Sequence, residues 1–339
     1  MVGTAAMGPV GVPQLLGSYT DAVQRFGAYD RWVDGASGEL TLVRALEQAY
    51  RFGATTVWAV RVADGTEKKA AVTLKHASGD CVNIEALSPG TWGNDITVEV
   101  STSDANAVVS AEEVATSLTL GHKPVVQSAV NRIIVRPSAG GADQVPNIVY
   151  ETTTKPAPDP TPTQVKVNTD TGVLTFVPPP AGAKVLATYT VDKTSAVKVT
   201  VKAGLAVEEV YSVVSGDDLI ADLKIGSTLV EATAPGGFSS KELPKPVLAT
   251  PLTGGLNGAG VANGVPTANY HAGLDALLTV DAHIIVAAGQ DQSFGNRLAT
   301  HCTNASGDEI KRDRIAIVGT GLQKAPPTPV ADASGHPLN

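Results

Sequence analysis

The apolar pattern of this chain changes period twice. Up to residue 62, and again after residue 252, helix-spaced apolar residues alternate with short β-branched runs. Between them, from Lys69 onward, the pattern is mostly short, turn-punctuated strands. Strand, helix, helix, strand at the start and helix, strand, helix, strand at the end are expected to join in one layered sheet. The expected fold class is therefore α+β / α/β multidomain: a layered α/β core built from the N- and C-terminal segments, and a β-rich middle subdomain that carries an inserted β-sandwich.

Local signals place the elements. Val2-Gly3-Thr4-Ala5-Ala6 reads as a short buried strand, broken at Gly8-Pro9. A helix is expected over residues 18–26, capped by Ser18 or Thr20 and stopped at Gly27. A second is expected over 39–52, with Leu42, Leu46, Ala49 and Tyr50 on one face and Gly53 after it. Residues 55–62 form a β-branched strand. Near the other end, Tyr270, Leu274, Leu277 and Leu278 share a face of a helix over 268–278. Residues 282–288 read as a strand apolar on both sides, as in a parallel sheet with covered faces. A helix over 293–302, carrying Phe294, Leu298 and Cys302, precedes a buried strand at 314–318.

In the middle, strands are expected at 71–75, 81–86, 95–101, 197–202 and 208–211, with a short helix at 217–223. Residues 106–193 differ again. Strand segments at 114–120, 131–135, 147–150 and 185–191 surround a hairpin over 164–176 that turns on residues 168–172. The Pro/Thr-rich run at 152–163 reads as a surface loop or stiff linker. The expected division is residues 1–66 and 250–339 for the α/β core, 67–105 and 194–249 for the middle subdomain, and 106–193 for an inserted, immunoglobulin-like outer β-sandwich.

Composition and motifs exclude several chemistries. Aromatics make up only 4% against 43% hydrophobic residues, with 34 glycines and 22 prolines, which suits a β-rich protein with thin cores. The formal net charge is −8 with both signs interspersed, arguing against a nucleic-acid surface. Cys81 and Cys302 lie too far apart for a zinc motif or a disulfide framework and read as buried, reduced thiols. No apolar run is long enough to span a bilayer, and residues 1–12 lack the pattern of a secretion signal.

Gly254-Gly255-Leu256-Asn257-Gly258-Ala259-Gly260 lacks both the flanking strand and helix of a dinucleotide fingerprint and the Lys-Ser/Thr of a Walker loop. It reads as an interdomain connection. His76, His122, His271, His283, His301 and His336 show no metalloprotease spacing. His301 and Cys302 diverge by about 100° on a helix, so they make no ready nucleophile and base, and His301 reads as a surface or capping residue. Asp217, Asp218 and Asp222 fit a helix N-terminus better than a cation site, and Asn168, Asp170 and Gly172 fit a hairpin turn. No catalytic, cofactor or metal residues are expected, and the chain is not expected to be an enzyme.

One stretch is more specific. In Ala86-Leu87-Ser88-Pro89-Gly90-Thr91-Trp92-Gly93-Asn94-Asp95 the backbone turns at Pro-Gly and again at Gly-Asn, with a tryptophan between, before the alternating Ile96-Thr97-Val98-Glu99-Val100. The expected geometry is a bend whose Trp92 packs on the body. This stretch resembles the "pGxWGN" signature of contractile phage tail sheath proteins of the Myoviridae type, a family that extends to tailocins and contractile injection systems. Further resemblances follow in the same order along the chain. Val2-Gly3-Thr4-Ala5-Ala6-Met7-Gly8-Pro9 resembles the family's first strand, and residues 15–27 the segment after it. Residues 42–62 resemble its helix and "yvvRv" strand, residues 199–213 a return strand, Leu252 to Gly258 with 269–288 its "GG.dG" loop, helix and strand, and residues 312–318 its "rR.aiv" strand. Structural positions carried over are Gly3, Gly8, Pro9, Pro89, Gly90, Trp92, Gly93, Asn94, Gly254 and Gly255. Residues 106–193 fall outside the ordered set and look like the variable decorating domain such proteins carry.

The resemblance implies a structural subunit of a contractile sheath. Such subunits stack as hexameric rings around a tail tube and drive it through a target cell envelope by contraction. It implies that the core faces the tube and the insert projects outward. The partners implied are further copies of itself, the tail tube protein, and baseplate and tail terminator proteins, with no nucleic acid and no membrane span. The place implied is the virion tail, assembled in the host cytoplasm. Relative to the family, the N- and C-terminal linking arms are expected to be missing. Two alternatives stand beside this reading. One is a β-sandwich adhesin or carbohydrate-binding surface protein, which needs an aromatic groove that Tyr150, Phe176 and Tyr189 alone would supply. The other is a doubly wound enzyme with a cleft at Ala287-Ala288-Gly289-Gln290-Asp291, for which no base, nucleophile or phosphate loop is at hand.

Overall fold

A computed structural model describes residues 1–29, 40–138, 140–178, 182–204, 207–236, 241–258, 261–262, 265–266 and 268–319. The structure is mixed α/β, mostly sheets with few helices. Contacts divide it into two units. One comprises the described residues of Met1–Ala71, Ala86–Asp95 and Thr253–Asn339; the other comprises those of Val72–Glu85 and Ile96–Leu252.

In the first unit the expected layered sheet forms from both ends of the chain. Gln14–Leu16 runs antiparallel to Val57–Arg61, which runs parallel to Val2–Gly3. Val2 bridges in parallel to Ala287, and the Ala288 amide donates to the Val2 carbonyl at 2.7 Å. Ile284–Val286 then pairs in parallel with Ile315–Ile317. The strand at Gln14–Leu16 had no sequence signal beyond its two leucines.

Period-2 alternation sends successive residues of Val57–Arg61 to opposite faces. Ala59 packs with Leu16, Ala22, Phe26, Leu42 and Leu46, beneath helices Tyr19–Phe26 and Leu42–Arg51. Val60 and Val62 pack with Tyr270, Leu274, Leu277, Ile285 and Leu298, beneath helices Tyr270–Leu277 and Gly295–Ser306. The first helix is capped as the sequence predicts: Ser18 Oγ accepts from the Asp21 amide at 3.1 Å, and Gly27 stops it at φ +79°.

The covered faces expected for residues 282–288 and 314–318 are not both covered. Ile285 is buried, but Ile284, Ile315 and Ile317 are 52%, 63% and 54% exposed. Among the described residues, the first two helices cover the strands nearest them, and the two outer strands have a helical layer on one face only. An apolar pattern alone does not distinguish a strand covered on both sides from one left bare on one.

In the second unit, Val207–Val213, Val197–Ala203, Ile96–Thr102 and Val247–Pro251 form an antiparallel sheet in that order. Val230–Thr233, Asp80–Ala86 and Ala71–Lys75 form a smaller one. Residues 106–193 leave and return between paired neighbours, since Ile96–Thr102 and Val197–Ala203 are in register from Thr102↔Val197 to Ile96↔Ala203. Within them, Lys184–Val191 pairs with Ala107–Val114 on one side and with Val125–Val126 and Arg132–Arg136 on the other. A second sheet joins Asn147–Glu151, Gln164–Asn168 and Leu174–Phe176; its first pair is parallel and its second is the expected hairpin. Side chains from both sheets meet in one core that includes Val109, Ile133, Val165, Val167, Phe176 and Tyr189, and that core extends to Ala196 and Val214. The strand expected at 114–120 lies earlier, at Ala107–Val114.

Candidate functional site

The strand Val57–Arg61 ends in a cation inside an otherwise apolar run. By alternation Arg61 lies on the Ala59 face, and it is fully buried. Its Nη1 donates to the Gly8 carbonyl at 2.9 Å and the Pro89 carbonyl at 2.6 Å, and its Nη2 donates to the Asn257 carbonyl at 3.0 Å. Three loops, far apart in sequence, are thus tied to one guanidinium. Burial lowers the Arg61 pKa to about 10, partly offset by Glu67, so the group stays cationic at neutral pH. The fork of donors suits several carbonyls at once, which an ammonium cannot match.

The glycines around Arg61 are there because backbone passes too close for a side chain. Gly8 has φ +92°, and a Cβ on it would sit 2.6 Å from the Arg25 carbonyl oxygen. Its amide donates to Ser88 Oγ at 2.9 Å. Gly90 has φ +145°, and a Cβ would fall 2.0 Å from the Ala6 carbonyl oxygen. The Gly90 amide donates to the Lys68 carbonyl at 3.0 Å. Residues Thr91–Asp95 then make one 3₁₀ turn, in which Gly93 is buried against Ala70 and Ala86.

Trp92 closes that turn from within. Its Nε1 donates to the Ser88 carbonyl at 3.2 Å, and its ring leaves no room for a Cβ on Gly90. The indole is half-buried. Asn94 makes a reciprocal pair with Gly255: its Nδ2 donates to the Gly255 carbonyl at 3.1 Å and its Oδ1 accepts from the Gly255 amide at 2.9 Å. Asn257 Oδ1 accepts from the Thr91 amide at 2.9 Å.

The glycine-rich loop is therefore not a loose connection. It is pinned to Asn94 and Thr91, and it runs as a ladder beside residues 68–71, with Lys68 and Leu256 exchanging both amide bonds at 3.1 and 3.0 Å. Gly254 supplies a φ of +85° for the turn.

A second cluster lies at the strand Val2–Gly3. Gly3 passes Thr41 so closely that a Cβ would sit 2.9 Å from Thr41 Oγ1. Thr41 Oγ1 accepts from the Thr4 amide at 3.2 Å and meets the Tyr270 hydroxyl at 3.1 Å; that hydroxyl donates to the Ala288 carbonyl at 2.7 Å. This polar knot replaces a helix cap: Thr41 precedes Leu42–Arg51 but makes no side-chain cap bond.

Gly3, Gly8, Pro89, Gly90, Trp92, Gly93, Asn94, Gly254 and Gly255 thus fall in these two clusters, all within the first unit. Pro9 is half-buried beside Gly8 and carries none of these bonds. Arg61, Ser88 and Asn257 lie in stretches that the resemblance covers, Arg61 at the arginine of its "yvvRv" strand, but none is among the structural positions carried over. The signal for Arg61 was a lone cation in a β-branched run. Ser88 and Asn257 act through bonds 80 and 166 positions away, which no local pattern reveals.

The side chains of the cluster hold backbone. The other sequence candidates are scattered. His336 lies outside the described residues. His301 is not a surface or capping residue; it is 4% exposed, with Nε2 2.8 Å from Arg314 Nη1. Cys81 is buried, and burial together with Asp217 and Glu242 raises its thiol pKa to about 11; Cys302 is only half-buried, and both are free. Ser215 caps helix Gly216–Gly226 by accepting from the Asp218 amide at 3.1 Å, and Asp218 accepts from the Val214 amide at 3.1 Å. Asn168 Oδ1 accepts from the Asp170 and Thr171 amides as a turn residue does.

Among the described residues, no group of three or more His, Cys, Asp or Glu is placed to hold a metal, and no helix is long and apolar enough to cross a membrane. Phe176 and Tyr189 are core residues, 9% and 1% exposed, and Tyr150 accepts from Asn131 Nδ2 at 2.9 Å. Phe176 edges a cavity of about 450 Å³ with Val135, Pro146 and Pro178, while Tyr150 and Tyr189 are not among its lining residues.

No family model and no curated protein matches the chain. Several solved structures do, two of them as follows. The sheath tail protein of Listeria innocua is 14% identical with a TM-score of 0.47, covering 91% of this chain and 44% of that one. The sheath tail protein of Desulfitobacterium hafniense is 14% identical with a TM-score of 0.48, covering 100% of this chain and 54% of that one. The chain spans about half the length of these proteins.

Proposed function

We propose that the chain is a structural subunit of a contractile tail sheath, with a mechanical rather than catalytic role. The observation that carries this reading is convergence. Four separate stretches covered by the ordered resemblance come together: residues 2–9, the strand ending at Arg61, the tryptophan turn, and the 252–258 loop. In the first unit, Arg61 bonds to the carbonyls of Gly8, Pro89 and Asn257, and Asn94 bonds to Gly255. A motif scattered by chance would have no reason to meet around one buried cation.

On this reading copies of the chain stack as hexameric rings around a tail tube, between a baseplate and a terminator. The reading assigns residues 106–193 to an outer, decorating domain. A rigid core tied through main-chain carbonyls suits a subunit that must move as a body while its contacts with neighbours change. Negative-stain microscopy of the particles that contain this chain tests the reading. Striated tubes of two lengths, decorated by antibody to the chain, are expected. Particles with no tubular assembly, or label confined elsewhere, would overturn it.

A further inference from the structure

Arg314 and His301 form a buried pair that the proposed role does not use. They are 6% and 4% exposed. Arg314 directly precedes the strand Ile315–Ile317, and His301 lies in helix Gly295–Ser306. Arg314 Nη1 donates to the Leu277 carbonyl at 2.9 Å and Nη2 to the Val280 carbonyl at 2.6 Å, at the end of helix Tyr270–Leu277, where unpaired carbonyls gather. The remaining contact of Nη1 is His301 Nε2 at 2.8 Å. A guanidinium only donates, so Nε2 accepts, and the neutral ring carries its proton on Nδ1. That Nδ1 has no partner among the described residues. A second proton must land on Nε2, where it would point at a guanidinium N–H and add a positive charge beside one already buried.

We propose that this pair is an acid-sensitive latch: a solvent proton taken up on His301 Nε2 breaks the contact with Arg314 and loosens Ile315–Ile317 from Ile284–Val286. The strand depends on the latch. It is three residues long, its Ile315 and Ile317 are exposed on the bare face, and its Ile315 amide is tied to the His283 carbonyl at 2.9 Å.

The charged and titratable groups around the pair come from every element packed on it. Asp275 lies on the helix before, Asp281 in the loop after it, Arg312 just ahead of Arg314, Cys302 next on the helix, and the Met1 amine on the first strand. Burial and Arg314 hold His301 below its ordinary range; Asp275 opposes them and the Met1 amine adds to them. A depressed histidine leaves stability whole above the unfolded value near 6.5 and lets it fall as pH drops below that.

Amide hydrogen exchange on the full chain, corrected for intrinsic rates, tests this between about pH 7.5 and pH 5.5. Protection at Ile315–Ile317 is expected to fall about tenfold or more in the unsubstituted protein. In His301→Gln, whose side-chain oxygen accepts from Arg314 without taking a proton, protection should stay constant. His283→Gln, exposed just ahead of the neighbouring strand, should retain the fall. Loss of protection that persists in His301→Gln, or no loss in the unsubstituted protein, overturns the proposal. If His301→Gln does not fold, ring NMR of the unsubstituted protein decides. His301 should resist protonation until the strand opens. Titration near the ordinary histidine value with strand protection unchanged overturns the latch.

Discussion

Arg61 reaches the Pro89 carbonyl at 2.6 Å across 28 positions of sequence, and with it joins the end of a buried strand to the start of the tryptophan turn. The same guanidinium holds the carbonyls of Gly8 and Asn257. Arg61→Met keeps the volume and removes every donor, leaving three loop carbonyls unpaired. A loss of about 3 kcal/mol in urea unfolding is expected, with Arg61→Lys in between because one ammonium cannot reach all three.

Gly90→Ala should be among the most damaging small substitutions in the chain. The added methyl would lie 2.0 Å from the Ala6 carbonyl oxygen at φ +145°. Relief requires moving main chain, so a loss of more than about 3 kcal/mol is expected. Gly17→Ala is the control: nothing lies within 4 Å of its Cβ, and its stability should stay within about 0.5 kcal/mol.

Asn94→Asp replaces an amide donor with a carboxylate oxygen beside the Gly255 carbonyl, 3.1 Å away in the native pair. One bond is lost and two acceptors face each other. Destabilisation of about 2 kcal/mol is expected in thermal unfolding, larger than for Asn94→Ala, which removes both bonds without adding repulsion.

Asp218 gives the second unit a pH dependence of its own. Burial raises its pKa to about 6, against the Val214 amide, with Asp222 adding to the rise. The folded state therefore holds the proton more tightly than the unfolded chain, whose carboxyl titrates near 4. Stability contributed by the protonated form is whole below about pH 4 and is lost as pH rises through 6. Asp218→Asn keeps an oxygen for the Val214 amide and should gain about 1 kcal/mol at pH 7, with a flatter profile over that window.

The helices and most strands were legible because caps and periodicity are local. Ser18 and Gly27 bound the first helix as their chemistry dictates, and the 164–176 hairpin follows its Asn168 turn. What local pattern does not carry is coverage and long-range bonding. Ile284 and Ile285 look alike in sequence, yet one is 52% exposed and the other buried, because a helix reaches only one face. His301 read as a surface residue because its partner Arg314 is 13 positions away on another element. The glycine-rich loop read as a connection because its tie to Asn94 spans 161 positions. Of the tryptophan site, the turn was visible from its Pro-Gly and Gly-Asn pairs, while the bonds by which Arg61 anchors it were not.

Gold-labelled antibody imaging of intact particles before and after triggering tests the proposed sheath role most directly. The expected result is label along the full length of a striated sheath that shortens around a protruding tube. Label absent from any tube, or spread over a structure of constant length, would contradict the account.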